Sequence, residues 1–217
     1  MSSEFERINR LPPYVFSEVN NLKAQLRSEG KDIIDFGMGN PDMPTPEHIR
    51  KKLQETVDKP GTGRYSSSKG IPGLRKAQSK YYERRFNVKL DPEKEVIVTL
   101  GSKEGLANLA QAITSPGDII LSPNPSYPIH PYGFIIAGAS LRHLPAVDNG
   151  IFNPDLYLER LERSIIESVP APVAIIVSFP SNPTAQVVSL EFYEEVVKIA
   201  LKYNVYILSD LAYAEIY

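Results

Sequence analysis

The sequence predicts an α/β protein with a mainly parallel sheet that has helices on both of its faces. From residue 95 onward, short apolar segments alternate with helical patterns of roughly ten or more residues, which is the connection length that parallel strands need. The segment 173–178 (VAIIVS) is apolar at nearly every position, as is typical of a strand buried on both faces of a parallel sheet. These two observations together favour parallel pairing over an antiparallel meander.

Helical patterns precede the alternating part of the chain. Apolar residues recur at a spacing of three to four between Phe16 and Leu26, and Gly30 follows as a stop signal. Thr45 and Pro46 form a suitable N-cap and first-turn pair for the next helix. We therefore expect helices over 16–29, 46–58 and 73–86.

The alternating part supplies the sheet and its covering helices. Segments rich in β-branched and other apolar residues predict strands, and longer amphipathic segments between them predict helices. Ser189 is the expected cap of the last helix. We expect strands over 95–100, 118–121, 141–144, 173–178 and 205–209, and helices over 104–114, 127–138, 154–168 and 190–203.

Polar residues follow four of these strands, at the edge where open α/β sheets bind ligands. Ser102 and Lys103 open a helix after a glycine, so backbone N–H groups and a hydroxyl are available to a phosphate. Tyr127 lies in a loop stiffened by prolines and is suited to stack on a flat ring. The structural alternative for Ser102 and Lys103 is an ordinary helix cap. The structural alternative for Tyr127 is a core tyrosine in a rigid turn.

The other two loops carry an amide and a carboxylate. Asn182 places an amide donor at the mouth of the sheet, although Asn-Pro also forms ordinary turns. Asp210 directly follows a buried strand, where a carboxylate needs a partner; a protonated pyridine nitrogen or a helix N-terminus would serve. Tyr213 lies three residues further on. Together the four loops offer contacts for a phosphate, a ring face, a ring oxygen and a ring nitrogen, which is the recognition set for pyridoxal 5′-phosphate (PLP).

Composition excludes several classes of function. A formal net charge of −2 gives no basis for binding nucleic acid or an anionic membrane surface, and the absence of cysteine excludes disulfides and thiolate metal sites. His48, His130 and His143 lack metal-ligand spacing, and we interpret each as a surface or packing residue. The first residues are too polar for a signal peptide and no apolar run approaches a membrane span. We expect a soluble, cytoplasmic protein without a metal.

Segments distributed over nearly the whole chain carry a family resemblance. They are 11–16 (LPPYVF), 37–42 (GMGNPD), 65–72 (YSSSKGIP), 101–106 (GSKEGL), 124–130 (NPSYPIH), 179–186 (FPSNPTAQ) and 210–214 (DLAYA). In this order they resemble the class I/II aminotransferases of the PLP fold-type I superfamily. Within that family the sequence is most similar to bacterial glutamate–pyruvate (alanine) aminotransferases, with LL-diaminopimelate aminotransferases nearby.

The resemblance implies PLP as the cofactor and a role for each residue at the strand ends. Asp210 would pair with the ring nitrogen and keep it protonated, so that the ring can accept electrons from the substrate. The other implied contacts are Ser102 and the backbone of Lys103 at the phosphate, Tyr127 on the ring face, and Asn182 and Tyr213 at the phenolic oxygen.

The resemblance also implies partners and substrates. Tyr65 would reach the phosphate in the neighbouring subunit, which implies a homodimer with shared sites. Tyr14 and Gly39 would border the substrate. The substrates would be an amino acid and a 2-oxo acid, with alanine and 2-oxoglutarate against pyruvate and glutamate as the expected pair.

The family's catalytic lysine, which forms a Schiff base with the cofactor, lies beyond the segment that matches 210–213. We therefore expect it beyond Tyr217 and expect no catalytic residue within the chain. Residues 1–45 would form an N-terminal arm and a small-domain segment, and 46–217 a partial PLP-binding large domain. Without the family's neighbouring strands, 95–100 would be unpaired, so we expect the isolated polypeptide to be poorly soluble or partly unfolded.

Two other functions remain open from the sequence. The same fold supports PLP-dependent C–S lyases, because a fold does not determine a reaction. Products distinguish the two enzymes: a transaminase forms glutamate, whereas a lyase releases ammonia and pyruvate from cysteine conjugates. The second alternative is an inactive half-domain that binds a partner or binds PLP weakly, and borohydride reduction would then trap no PLP on a specific lysine.

Overall fold

The computed structural model describes residues 5–37, 39, 42–145, 147–148 and 150–215. The chain divides into two compact units. One contains Pro13–Val98, and the other contains Met1–Pro12 together with Thr99–Tyr217. The predicted boundary between a small-domain segment and a large-domain segment at residues 45 and 46 concerns the whole protein and stays a prediction.

The elements follow one another in this chain order. They are α1 (Glu6–Asn9), α2 (Val15–Ser28), α3 (Glu47–Val57), α4 (Pro72–Phe86), α5 (Ser102–Ile113), β1 (Ile119–Asn124), α6 (Ile129–Ala137), β2 (Ser140–Pro145), β3 (Val147–Asp148), β4 (Ile151–Phe152), α7 (Pro154–Ile166), β5 (Ala174–Val177), α8 (Leu190–Tyr203) and β6 (Tyr206–Ser209).

The unit Pro13–Val98 contains the three helices predicted from the N-terminal patterns, α2, α3 and α4. Their existence is confirmed, with small shifts at the ends. The predicted Thr45 cap is wrong: Pro46 is the N-cap, with φ of −49° and ψ of 139°, and it makes no side-chain capping hydrogen bond. The carbonyl of Pro46 accepts the first helical bonds, from the N–H groups of Ile49 and Arg50, so α3 begins one residue later than expected.

The other unit is built on a four-stranded sheet with the strand order β2-β1-β5-β6. All three pairs of neighbouring strands are parallel, and β1 runs beside β2 from Ile119↔Ser140 to Asn124↔Pro145. The predicted strands at 118–121, 141–144, 173–178 and 205–209 are therefore confirmed. Parallel pairing places all of their carboxyl ends at one edge of the sheet.

Helices cover both faces of this sheet, as the fold class requires. Ile120 is fully buried and belongs to an apolar cluster that contains Phe134 of α6 and Ala110 of α5. Its neighbour Leu121 points to the opposite face and belongs to a cluster with Leu161 of α7 and Val196 of α8. Because successive side chains alternate between faces, one strand supplies both cores. The predicted α/β architecture with a parallel sheet is confirmed.

The predicted strand over 95–100 is wrong, because no strand is present there among the described residues. Val98 donates a backbone hydrogen bond to the Lys69 carbonyl oxygen at 3.1 Å, but no ladder forms. A strand exists only where a neighbouring strand satisfies its backbone groups, and the sheet order places none beside this segment. Leu100 is 92% exposed. The apolar pattern predicts a strand, but the presence of a pairing partner cannot be deduced from the segment itself.

The sequence also missed two small features. The single-turn helix α1 lies in the polar start of the chain, and β3 pairs with β4 in an antiparallel hairpin through Val147↔Phe152. Strands of two residues are too short to show alternation. Within the described ranges, no helix combines the length and the apolar character that crossing a membrane requires.

Candidate functional site

The predicted site residues lie in the loops that follow the parallel strands. The loop after β1 carries Tyr127, the loop after β5 carries Asn182, and Asp210 comes directly after β6. The backbone N–H of Asp210 donates to the Val177 carbonyl oxygen at 2.9 Å. This bond continues the β5–β6 pairing by one residue. It thereby fixes the position of the Asp210 backbone, from which the carboxylate side chain extends.

These loops and the start of α5 enclose a cavity of about 140 Å³. Six of the seven residues predicted to bind the cofactor line it, and two residues that the sequence reasoning did not select complete the wall. The lining residues are Ser102, Lys103, Tyr127, Ser178, Asn182, Asp210, Ala212 and Tyr213. The roles proposed for the six stay predictions, but their convergence on one cavity is observed.

The start of α5 forms one end of this cavity. Gly101 is its N-cap with φ of 84°, a left-handed conformation that favours glycine, and Ser102 is the first helical residue. The first N–H groups of a helix have no partner within the helix, and they carry partial positive charge. The Glu104 carboxylate accepts from the Leu100 N–H, and the Thr99 hydroxyl donates to the Gly101 carbonyl oxygen at 2.9 Å. These two hydrogen bonds hold the loop 99–101 in place. The N–H groups at the start of α5 remain suited to binding an anion.

The carboxylate of Asp210 is paired with a buried histidine. Asp210 Oδ2 lies 2.9 Å from His130 Nε2, and the His130 side chain is 1% exposed. This hydrogen bond is the largest cause that lowers the pKa of Asp210, while burial opposes it. Asp210 therefore stays ionised in the cavity, and His130 Nε2 carries the donated hydrogen. Among the described residues His130 Nδ1 has no hydrogen-bond partner.

His130 contacts the site through Asp210, and the sequence analysis did not select it as a site residue. The sequence predicts a surface or packing residue at this position, and His130 is fully buried on α6. Its partner Asp210 is 80 residues away in sequence, so no local spacing indicates the pair. The available signal was its position at the end of the segment 124–130, which carries the family resemblance.

The amide and the phenol of the site bind each other directly. Asn182 Nδ2 donates to Tyr213 Oη at 2.7 Å. The loop that carries Asn182 is held by its own backbone, because Ser181 N donates to the Gln186 carbonyl oxygen at 2.9 Å and Ala185 N donates to the Ser181 carbonyl oxygen at 2.8 Å. Asn182 and Tyr213 therefore form a fixed pair beside Asp210, able to bind one oxygen atom together.

The ring of Tyr127 contacts two other members of the site. Lys103 Nζ lies 5.2 Å from the centroid of the Tyr127 ring, within the range of a cation–π contact. The His130 ring packs edge-on at a centroid distance of 6.2 Å. These contacts restrict the ring orientation. The Lys103 side chain thus takes part in the site, whereas the sequence analysis selected only the Lys103 backbone.

Three further predicted residues lie in the other unit. Tyr65 is fully exposed, and Tyr14 is the N-cap of α2, with its ring centroid 5.6 Å from that of Phe16. A Cβ added to Gly39 would meet no atom within 4 Å. Contact of Tyr65 with a neighbouring subunit, and contact of Tyr14 and Gly39 with a substrate, stay predictions.

Comparison with known proteins agrees with this geometry. AatC of Rhizobium meliloti is 58% identical over 214 residues, which are 99% of this chain and 52% of that protein. The glutamate-pyruvate aminotransferase AlaC of Escherichia coli is 54% identical over 212 residues, which are 98% of this chain and 50% of that protein. The chain therefore spans about half the length of these curated relatives.

A solved structure and a family match complete the comparison. The structure of a single-mutant aspartate aminotransferase from Thermus thermophilus superimposes with a TM-score of 0.86 at 30% identity, covering 97% of this chain and 53% of that one. Residues 31–217 match the family described as aminotransferase class I and II. That match includes every residue that lines the cavity. The chain belongs to the class I and II aminotransferase family.

Proposed function

We propose that the protein containing this chain is a PLP-dependent aminotransferase that exchanges an amino group between alanine or glutamate and the matching 2-oxo acids. The observation that carries the proposal is the convergence of six residues on one cavity at the carboxyl edge of a parallel sheet. The alanine and glutamate pair is supported by the 54% identity to a glutamate-pyruvate aminotransferase. This identity extends over about half of that relative, so the substrate pair belongs to the proposal.

The residues present fit PLP in chemistry. An ionised carboxylate, held by His130, suits a protonated pyridine nitrogen, because opposite charges stabilise each other in a partly buried site. The start of α5 with the Ser102 hydroxyl suits a phosphate dianion. Tyr127 offers a flat face, and the Asn182–Tyr213 pair offers hydrogen bonds to an oxygen. The phosphate, the ring face, the phenolic oxygen and the ring nitrogen of the cofactor thus each have a matching residue in the cavity.

When bound, PLP supplies an electron sink for the carbanion that forms on removal of the substrate α-proton. Asp210 would hold a proton at the ring nitrogen, which keeps the ring electron-poor. Asn182 and Tyr213 would hold the phenolic oxygen, and Tyr127 would fix the plane of the ring. Ser102 and the N–H groups at the start of α5 would bind the phosphate. The lysine that moves the substrate proton is proposed to lie beyond residue 217.

The proposal includes a homodimer with shared sites. Tyr65 would bind the phosphate in the partner subunit, and its complete exposure in a single chain leaves it available for this contact. Tyr14 and Gly39 would border the substrate, and residues 1–45 would form an N-terminal arm and a small-domain segment of the whole protein. C₂ symmetry would make the two sites equivalent.

The test uses the full-length protein with PLP, alanine and 2-oxoglutarate. We expect pyruvate and glutamate as products and a mass increase of one PLP on a lysine after borohydride reduction. Asp210→Asn should lower kcat by at least about 100-fold, because it removes the charge that keeps the ring nitrogen protonated. Asp155→Asn is the matched control, since Asp155 is exposed in the first turn of α7.

Two results would contradict the proposal. Release of ammonia and pyruvate from cysteine conjugates, without formation of glutamate from 2-oxoglutarate, would identify a C–S lyase. If borohydride reduction attaches no PLP to a lysine of the full-length protein, the proposed PLP dependence is refuted. LL-diaminopimelate as an alternative donor tests the substrate assignment separately, because faster turnover of that donor would change the substrate and keep the reaction class.

A further inference from the structure

Arg75 is an unusual residue in the unit Pro13–Val98 because its charged side chain is buried. It lies on α4 and is 4% exposed. Its Nε donates to the Pro92 carbonyl oxygen at 2.8 Å, its Nη1 to the Gly70 carbonyl oxygen at 2.5 Å, and its Nη2 to Glu93 Oε2 at 2.7 Å. Buried charges are rare unless they are fully paired. The guanidinium therefore joins two segments of chain that flank α4.

One of these segments is the end of the loop that carries Tyr65. The Gly70 N–H donates to the Ser67 carbonyl oxygen at 2.8 Å, and the Lys69 carbonyl oxygen accepts from Val98 N at 3.1 Å. Gly70 has φ of +83°, and a Cβ there would lie 2.3 Å from a Val98 side-chain carbon. The turn 67–70 is thus fixed by its own bond, by Val98 and by Arg75.

We propose that Arg75 is a positioning residue for Tyr65 and, through it, for the phosphate of PLP in the partner subunit. The inference rests on the proposed function, which assigns Tyr65 to that phosphate. Because Tyr65 is fully exposed, packing of its own side chain within this chain does not place it. The backbone leading into the turn 67–70 places it instead, and Arg75 anchors that turn to the body of the unit.

The guanidinium is suited to this role by its shape. Its planar fork holds three acceptors in fixed directions, whereas an ammonium group offers a single compact charge. Arg75→Met should loosen the turn and lower the PLP affinity about tenfold, as expected for lost hydrogen bonds of a charged group. Arg75→Lys should lower it less. Arg84→Met is the matched control, because Arg84 is an exposed arginine on the same helix.

The decisive experiment uses hybrid dimers of the full-length protein. Subunits with Arg75→Met are mixed with subunits that carry Asp210→Ala. If Arg75 serves the partner's site, each hybrid has one complete site, made of Asp210 from one subunit and the Arg75-anchored Tyr65 from the other. The activity is measured at a PLP concentration close to the wild-type dissociation constant, where the weakened Arg75→Met sites are mostly empty. Under that condition the hybrids should supply about one quarter of the wild-type activity, because half of the dimers are hybrid and each has one good site of two. The Arg75→Met homodimers, measured alone, give the residual activity that is subtracted. PLP titration should show one site per hybrid with wild-type affinity.

A parallel hybrid of Tyr65→Phe with Asp210→Ala separates this inference from the proposed function. If that hybrid regains activity and the Arg75→Met hybrid does not, Arg75 acts only on its own subunit and the inference is overturned. If neither regains activity, the shared site itself is refuted and the inference fails with it. If Arg75→Met does not fold, Arg75→Lys replaces it in the same hybrid dimers. Amide hydrogen exchange of residues 65–71 then measures directly whether the turn 67–70 is loosened.

Discussion

Replacing His130 by leucine should weaken PLP binding and catalysis through Asp210. His130 donates to Asp210 Oδ2 at 2.9 Å and is the largest cause of the lowered pKa of that carboxyl. In His130→Leu the desolvation that raises the pKa of Asp210 remains and the compensating hydrogen bond is lost. The carboxylate then favours its neutral form more strongly, and a neutral acid no longer holds a proton at the pyridine nitrogen.

The magnitude follows from the hydrogen bond that is removed. A hydrogen bond to a charged group contributes about 1.5–3 kcal/mol, which corresponds to roughly 10- to 150-fold in an equilibrium constant. We expect the fold-change caused by His130→Leu to lie in the upper part of that range, because the hydrogen bond is largely buried. The His130 side chain is 1% exposed and that of Asp210 is 18% exposed. We expect PLP affinity and kcat to fall together, because the same charge pair supports both.

The assay is PLP titration of the apoenzyme together with steady-state kinetics of the full-length protein. His130→Gln should retain part of the activity, since its amide can donate one hydrogen bond to the carboxylate. His143→Leu is the control, because His143 is an exposed histidine on β2. Equal PLP affinity and equal kcat in His130→Leu and His143→Leu would refute the reasoning. Thermal unfolding of each variant separates loss of the site from loss of the fold.

Further predictions concern stability and are measured by chemical denaturation of the full-length protein. Gly70→Ala should destabilise by about 1–3 kcal/mol, because its φ is +83° and Val98 atoms lie 2.3 Å from the added Cβ; an unchanged midpoint would contradict this. Leu161→Ala should cost about 2–5 kcal/mol because Leu161 is fully buried, whereas exposed Leu201→Ala should cost under about 0.5 kcal/mol. Ser189→Ala should cost about 1 kcal/mol, because Ser189 Oγ accepts from Phe192 N at the start of α8.

Local patterns explain which parts of the fold the sequence could predict. The helices α2, α7 and α8 have clear apolar periodicity and end near the predicted residues. The central strand β5 is fully buried, as its uniform apolar composition indicates. The segment 95–100 also contains several apolar residues but has no neighbouring strand. Strand pairing depends on residues far away in sequence, and periodicity within one segment does not contain that information.

The same distinction applies to the candidate site. Ser102, Tyr127, Asn182 and Asp210 could be found because each follows a predicted strand and belongs to a polar loop. Their convergence on one cavity is observed. The partner of Asp210 could not be found in this way. A histidine on an apolar helix is typical of a packing residue, and only the folded structure shows that His130 contacts the Asp210 carboxylate.

The position of Asp210 depends on the packing beneath the sheet edge. Asp210 N binds the carbonyl of Val177, and Val177 is fully buried at the carboxyl end of β5. Val177 and Ser209 are paired in the β5–β6 ladder, so a change that shifts this pair also shifts the Asp210 carboxylate relative to His130. A hydrogen bond weakens steeply with misalignment, and a small shift would therefore raise the pKa of Asp210. Core substitutions under this edge should consequently reduce cofactor affinity before they unfold the sheet.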